Sequence, residues 1–242
     1  MGDSEGTRIP IKLGRNPLET ISPDFGGILA YEVKEDHVVY HEILSELGHR
    51  VDVNRIKEAH RGARNWWAEE RVRTGRLWSG EAWVDLVERM VSYLTLPNPR
   101  ELTSQVCELW PYRMVFRTYE DVKPALEELK HQGLRLIVIS NVSSRKNLLI
   151  YLTRLGLESY FDLLVASGSI GYEKPNPEIF ILASKMSKTP FTKMMHVGDR
   201  YEEDYLGAES VGIKGVLLDR QGLYRDKRCR KISRLIELLN FI

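Results

Sequence analysis

The chain has 242 residues, 43% of them hydrophobic and 29% charged, enough for one large α/β domain or a core with a smaller companion. A net charge of +1 gives no field that would recruit nucleic acid or an anionic membrane, and no apolar run approaches the roughly 20 residues of a membrane span. The two cysteines, Cys107 and Cys229, lie far apart with no CxxC pair, which argues against a disulfide framework or zinc site and suits a reducing cytoplasm.

In chain order, Met1 to Arg15 is polar with no apolar stretch, so no secretory signal is expected. Leu18 to Pro23 reads as a poor apolar strand. The segment from His37 to Trp110 contains no convincing strand. Val39, Ile43 and Leu47 make one helical stripe, and Ile56, Ala59, Ala63 and Trp67 a second. Trp83, Leu86, Val87, Met90, Val91 and Leu94 make a third after the cap residue Ser79, and a fourth helix lies near Leu102 to Leu109. Trp66, Trp67, Trp78 and Trp83 read as helical core, and Arg71, Arg73 and Arg76 as a solvated face. No metal-ligand spacing links His37, His41, His49 and His60, although His41 and Glu42 are placed where they can face a cleft.

The C-terminal half alternates short strands and helices. Thr118 and Asp121 form a capping-box pattern before the face Val122, Ala125, Leu126 and Leu129, with Gly133 beyond the helix end. Leu134 to Ile139 reads as a buried parallel strand, followed by a helix closed by Gly156. Strands at Leu163 to Val165, Met194 to Val197 and Gly215 to Leu218 come next, with helices from Pro177, from Leu206 to Val211, and over Ile232 to Leu239. Such alternation means a parallel sheet with helices on both faces, into which the helical segment is inserted.

Three local patterns carry chemistry. Asp199 follows a strand and a glycine, and Asp204 stands five residues on, in the turn before a helix; paired hard oxygens at such a crevice suit Mg²⁺. Ser140 and Asn141 follow a strand and open the next helix, which suits an anion. Pro175 and Pro177 stiffen the backbone around Lys174, so that a flexible ammonium is delivered from a fixed base. Alone, the acidic pair reads equally as a solvated turn, while Ser140 reads better as a plain helix cap and Lys174 better as a surface lysine.

Together, Ser140-Asn141, Lys174 to Phe180 and His196 to Gly212 resemble the haloacid dehalogenase-type hydrolase superfamily, in its phosphatase-rich branch with a helical cap. The resemblance implies a Rossmann-like core from residues 1–36 and 111–242, with a cap over residues 37–110. It implies that Ser140 and adjacent backbone, with Asn141, hold a phosphoryl group, that Lys174 neutralises charge, and that Asp199 and Asp204 bind or support Mg²⁺. The nucleophile it requires is best matched by Asp24 in Asp24-Phe25-Gly26-Gly27-Ile28-Leu29, with the Gly26 carbonyl a further metal ligand. A competing register takes Ile28 to Tyr31 as the strand and Glu32 as the nucleophile. Gly26 stands where the family's phosphatases carry a second aspartate. The expected activity is Mg²⁺-dependent hydrolysis of a small phosphorylated metabolite in the cytoplasm, with neither nucleic acid nor membrane as partner. A binding protein without turnover and a dehalogenase-like hydrolase remain the alternatives.

Overall fold

A computed structural model describes residues 18–242, so the expectation for Met1 to Arg15 falls outside the described residues. Six strands form one parallel sheet: β1 (Thr20–Pro23), β4 (Arg135–Ser140), β5 (Leu163–Ala166), β6 (Met194–Gly198), β7 (Lys214–Leu218) and β8 (Lys231–Ile232), in the spatial order β5-β4-β1-β6-β7-β8. Two further strands, β2 (Ala30–Glu32) and β3 (Phe116–Thr118), form a separate antiparallel pair.

The central strand β1 is the one that its sequence hides. Thr20 and Ser22 are fully buried, yet both are satisfied: Thr20 Oγ1 lies 2.8 Å from Thr189 Oγ1, and the Ser22 hydroxyl donates to the Met195 carbonyl at 3.2 Å. A buried polar side chain costs little when it is hydrogen-bonded. Neighbouring strands on both sides then supply the ladder that low apolarity leaves unannounced.

Four helices occupy the chain between β2 and β3: α1 (Asp36–Glu46), α2 (Val53–Thr74), α3 (Gly80–Tyr93) and α4 (Pro99–Arg113). Apart from the half-buried Leu47 and Trp83, the stripes read from the sequence lie on their buried faces. Asp52 caps α2 by accepting from the Asn54 and Arg55 amides, and Ser79 caps α3 by accepting from Ala82, each such cap contributing about 1 kcal/mol. The remaining helices, α5 (Val122–His131), α6 (Arg145–Leu155), α7 (Ser167–Ile170), α8 (Pro177–Ser187) and the short α9 (Gly207–Glu209), alternate with the strands of the sheet.

Four local expectations are corrected. Thr118 belongs to β3, and Asp121 stands at the N-cap of α5 without a side-chain capping bond; its carboxylate instead accepts from Arg220 and from the Leu235 amide, bonds across 99 and 114 residues of chain. Helix α6 starts at Arg145 with Ser144 as its cap, so Ser140, the last residue of β4, and Asn141 both precede it without opening it. The turn after Asp199 winds as a π-helix from Tyr201 to Leu206 before α9, ending short of Val211. The last segment is strand β8 followed by a 3₁₀-helix, Leu235–Phe241, in place of one α-helix from Ile232.

Candidate active site

All six strands of the large sheet run the same way, so their carboxyl ends share one rim, where open α/β sheets bind ligands. Asp24 follows β1, Ser140 ends β4 and Asp199 follows β6. Because β1 lies between β4 and β6, the sheet order alone sets Asp24 between the other two. The loop after β1 is a tight turn in which Gly27 donates to Ala30 at 2.9 Å and Leu29 and Ala30 donate back to Phe25. Gly27 has φ +72°, and a Cβ there would collide with the Asp199 carboxylate, so only glycine lets this loop pass so close to β6.

Asp204 sits in the π-helical turn and is buried. Its Oδ2 accepts from the Arg200 amide at 2.9 Å, and its Oδ1 lies 2.6 Å from Lys174 Nζ and 3.4 Å from His196 Nε2. Gly198 makes room for this carboxylate, which a Cβ at that position would overlap. Burial opposes the Asp204 charge, but Lys174 and His196 outweigh it and hold the carboxyl well below its usual range. Burial also holds the His196 imidazole below its usual range, while Ser22 Oγ lies 3.1 Å from its Nδ1.

Lys174 is buried; its ammonium donates to the Ile139 carbonyl at 2.9 Å and forms ion pairs with Asp204 at 2.6 Å and Asp24 Oδ1 at 3.1 Å. Burial alone would neutralise it; the two carboxylates prevail and keep its pKa above the ordinary lysine value. Its backbone is held at both ends by one side chain. The Lys174 amide donates to Asn141 Oδ1 at 2.8 Å, and Asn141 Nδ2 donates to the Lys174 carbonyl at 3.0 Å. Asn141 thus ties the lysine loop to the end of β4, and it borders the same cavity as Ser140.

Asp24, Asp199 and Asp204 each offer an oxygen within 4.8 Å of the other two, an all-carboxylate set that fits a hard cation. Asp24 Oδ1 is buried and makes no hydrogen bond, its charge being met by the Lys174 ammonium 3.1 Å away. Asp199 responds to the crowding: burial first, then Asp24 and Asp204, push its carboxyl up to about 6. Glu32, the rival nucleophile, lies on β2 and is not part of this carboxylate group. Gly26 borders the same cavity, with nothing within 4 Å of where its Cβ would be.

That cavity, of about 890 Å³, extends from Asp24, Ser140 and Asp199 into the four helices. Its lining includes Trp67, Trp78, Trp83 and Trp110, so three of the four tryptophans read as core also face open space. Trp66 alone of that group lies outside it, under the Arg89 guanidinium. Arg71 is half exposed, as a solvated face implies, and also pairs with the buried Glu173 beside Lys174; Arg73 and Arg76 pair locally with Glu70 and Asp85. His41 and Glu42 do not border the cavity, and Glu42 is held by Lys34. His60, passed over in the sequence for want of a partner at ligand spacing, borders it and lies 3.7 Å from Asp36.

A family model described as haloacid dehalogenase-like hydrolase matches residues 24–212, a span from the candidate nucleophile to the glycine that ends the last motif. The chain belongs to that family. Among these hydrolases it is 32% identical over 155 residues to the glyceraldehyde 3-phosphate phosphatase of Methanopyrus kandleri, an alignment covering 60% of this chain and 66% of that one. To the ribulose-1,5-bisphosphate 5-phosphatase of Halopiger xanaduensis it is 29% identical over 179 residues, 74% of each chain. The 2-haloacid dehalogenase from Pseudomonas syringae pv. tomato shares its fold with a TM-score of 0.71 at 20% identity, over 92% of this chain and 97% of that one. The matches span 57 to 66% of the length of the first curated relatives. Among the described residues, no helix is long and apolar enough to cross a membrane.

Proposed function

We propose that this hydrolase-family protein is a Mg²⁺-dependent phosphomonoesterase acting on a small phosphorylated molecule, with Asp24 as nucleophile. The observation that carries this reading is the convergence of Asp24, Lys174, Asp199 and Asp204 beside Ser140 on one rim of the sheet. The phosphatase names of two relatives support it. Asp24, Asp199 and Asp204, with the Gly26 carbonyl, would hold Mg²⁺, which when bound neutralises charge on the phosphoryl oxygens. A carboxylate oxygen of Asp24 attacks phosphorus, and the ester bond breaks with its electron pair on the leaving oxygen. Water then attacks the aspartyl-phosphate, releasing phosphate and regenerating the carboxylate. Lys174 keeps its positive charge beside Asp24 throughout, and the Ser140 hydroxyl and nearby amides receive phosphoryl oxygens. The helices α1–α4, taken as a cap domain over residues 37–110 on a core of 1–36 and 111–242, wall the cavity and exclude water during attack. A cytoplasmic setting agrees with the two free cysteines.

Phosphate release from p-nitrophenyl phosphate and acetyl phosphate, with and without Mg²⁺, tests this reading. Metal-dependent release is the expected result. The empty space at Gly26 favours a second reading, since a dehalogenase needs no acid there. Metal-independent halide release from a 2-haloacid would establish it in place of the first.

A further inference from the structure

Resting on the phosphatase reading, we infer that the substrate is an aryl phosphate, with the ester oxygen attached to an aromatic ring that sits among the tryptophans of α2–α4. Two independent features lead there. The first is the aromatic part of the cavity lining. Trp67 on α2, Trp78 in the loop between α2 and α3, Trp83 on α3 and Trp110 on α4 come from separate stretches of chain to border one space. They meet in pairs, Trp67 with Trp78 at 5.6 Å and Trp83 with Trp110 at 6.2 Å, both edge-on. A flat ring gains offset or edge-to-face contacts from these four tryptophans that a saturated chain cannot make. At about 890 Å³ the space is near the top of the range for pockets that enclose drug-sized ligands, far more than a three-carbon phosphate fills.

The second feature is the absence of a carboxylate at Gly26. Without an acid at that point, the leaving oxygen departs with its electron pair and takes a proton from water. A phenoxide, delocalised into its ring, does this readily; an alkoxide does not. The wall selects the ring and the missing acid selects the ester oxygen that the ring carries.

The test combines turnover with binding. In kcat/KM, 2-naphthyl phosphate should exceed 2-naphthylmethyl phosphate, glyceraldehyde 3-phosphate and choline phosphate. Independently of turnover, 2-naphthylmethylphosphonate should bind about tenfold more tightly than cyclohexylmethylphosphonate, as read by tryptophan fluorescence. Trp78→Leu should shrink that preference; Trp83→Leu serves if the first variant does not fold. Equal binding of the two phosphonates, or a higher kcat/KM for the triose or choline ester, overturns the inference. If no ester is hydrolysed, acetyl phosphate included, the phosphatase reading and the aryl-ester assignment fail together, and the phosphonate pair still decides whether the chamber prefers a ring.

Discussion

Gly26 and Gly27 are neighbours with opposite tolerances. A side chain at Gly26 would meet open space, whereas one at Gly27 would meet the Asp199 carboxylate from a backbone at φ +72°. Gly26→Asp should therefore fold and place a carboxylate near the leaving oxygen. It should speed hydrolysis of alkyl phosphates by about 10², the lower end of general-acid factors, with little gain on aryl esters; steady-state kinetics on both classes check this. Gly27→Ala should abolish the Mg²⁺-induced rise in melting temperature. Asp24→Asn should eliminate turnover while leaving metal-free stability unchanged or higher, because it removes repulsion from Asp199 and Asp204. Glu32 supplies a pH signature away from the carboxylate group. Burial and then Asp36 raise its pKa, with Arg64 opposing. A carboxyl with a raised pKa contributes stability below its unfolded pKa, and that contribution is lost as pH rises through the folded value. Glu32→Gln should thus melt higher relative to wild type above the ordinary carboxylate range, and the difference should vanish in acid. The residues Asp24, Ser140, Lys174, Asp199 and Asp204 were legible because each belongs to a short local string. The clamp of Asn141 on Lys174 was not, since it joins residues 33 apart.

At the scale of elements, one contact ties the inserted helices to the loop that carries Lys174. Arg71 on α2 reaches the buried Glu173, 102 residues away and next to Lys174. Arg71→Ala would leave that carboxylate buried without its cation, so a loss of about 1–3 kcal/mol is expected in denaturant unfolding. Faster amide exchange in the residue 172–175 loop should accompany it. This link was hidden because Arg71, Arg73 and Arg76 look alike in sequence; only the fold gives Arg71 a buried partner. The helices themselves were legible from their 3.6-residue stripes, and β4 to β7 from apolar runs bounded by turn residues. Strand β1 was obscured by Thr20 and Ser22, whose partners Thr189 and Met195 lie far along the chain. The 3₁₀ ending at Leu235–Phe241 carries the spacing of an α-helix, but strand β8 takes Ile232 into the sheet and leaves only a short helical stretch after it.

For the whole molecule, the order β5-β4-β1-β6-β7-β8 makes the site, because it sets the loop after β1 between those of β4 and β6. Strand-helix alternation foretold the parallel sheet, and the break in that rhythm foretold the helical insertion. The cavity between them was not foretold: a tryptophan at helical spacing has the same pattern whether it faces core or open space. The central claim is that Asp24 attacks phosphorus. Rapid acid quenching during turnover of p-nitrophenyl phosphate with Mg²⁺, and then peptide mass spectrometry, tests it most directly. One phosphoryl group is expected on the peptide containing Asp24, absent in Asp24→Asn. Turnover with that peptide unmodified, or the phosphoryl group on Glu32, would contradict the claim.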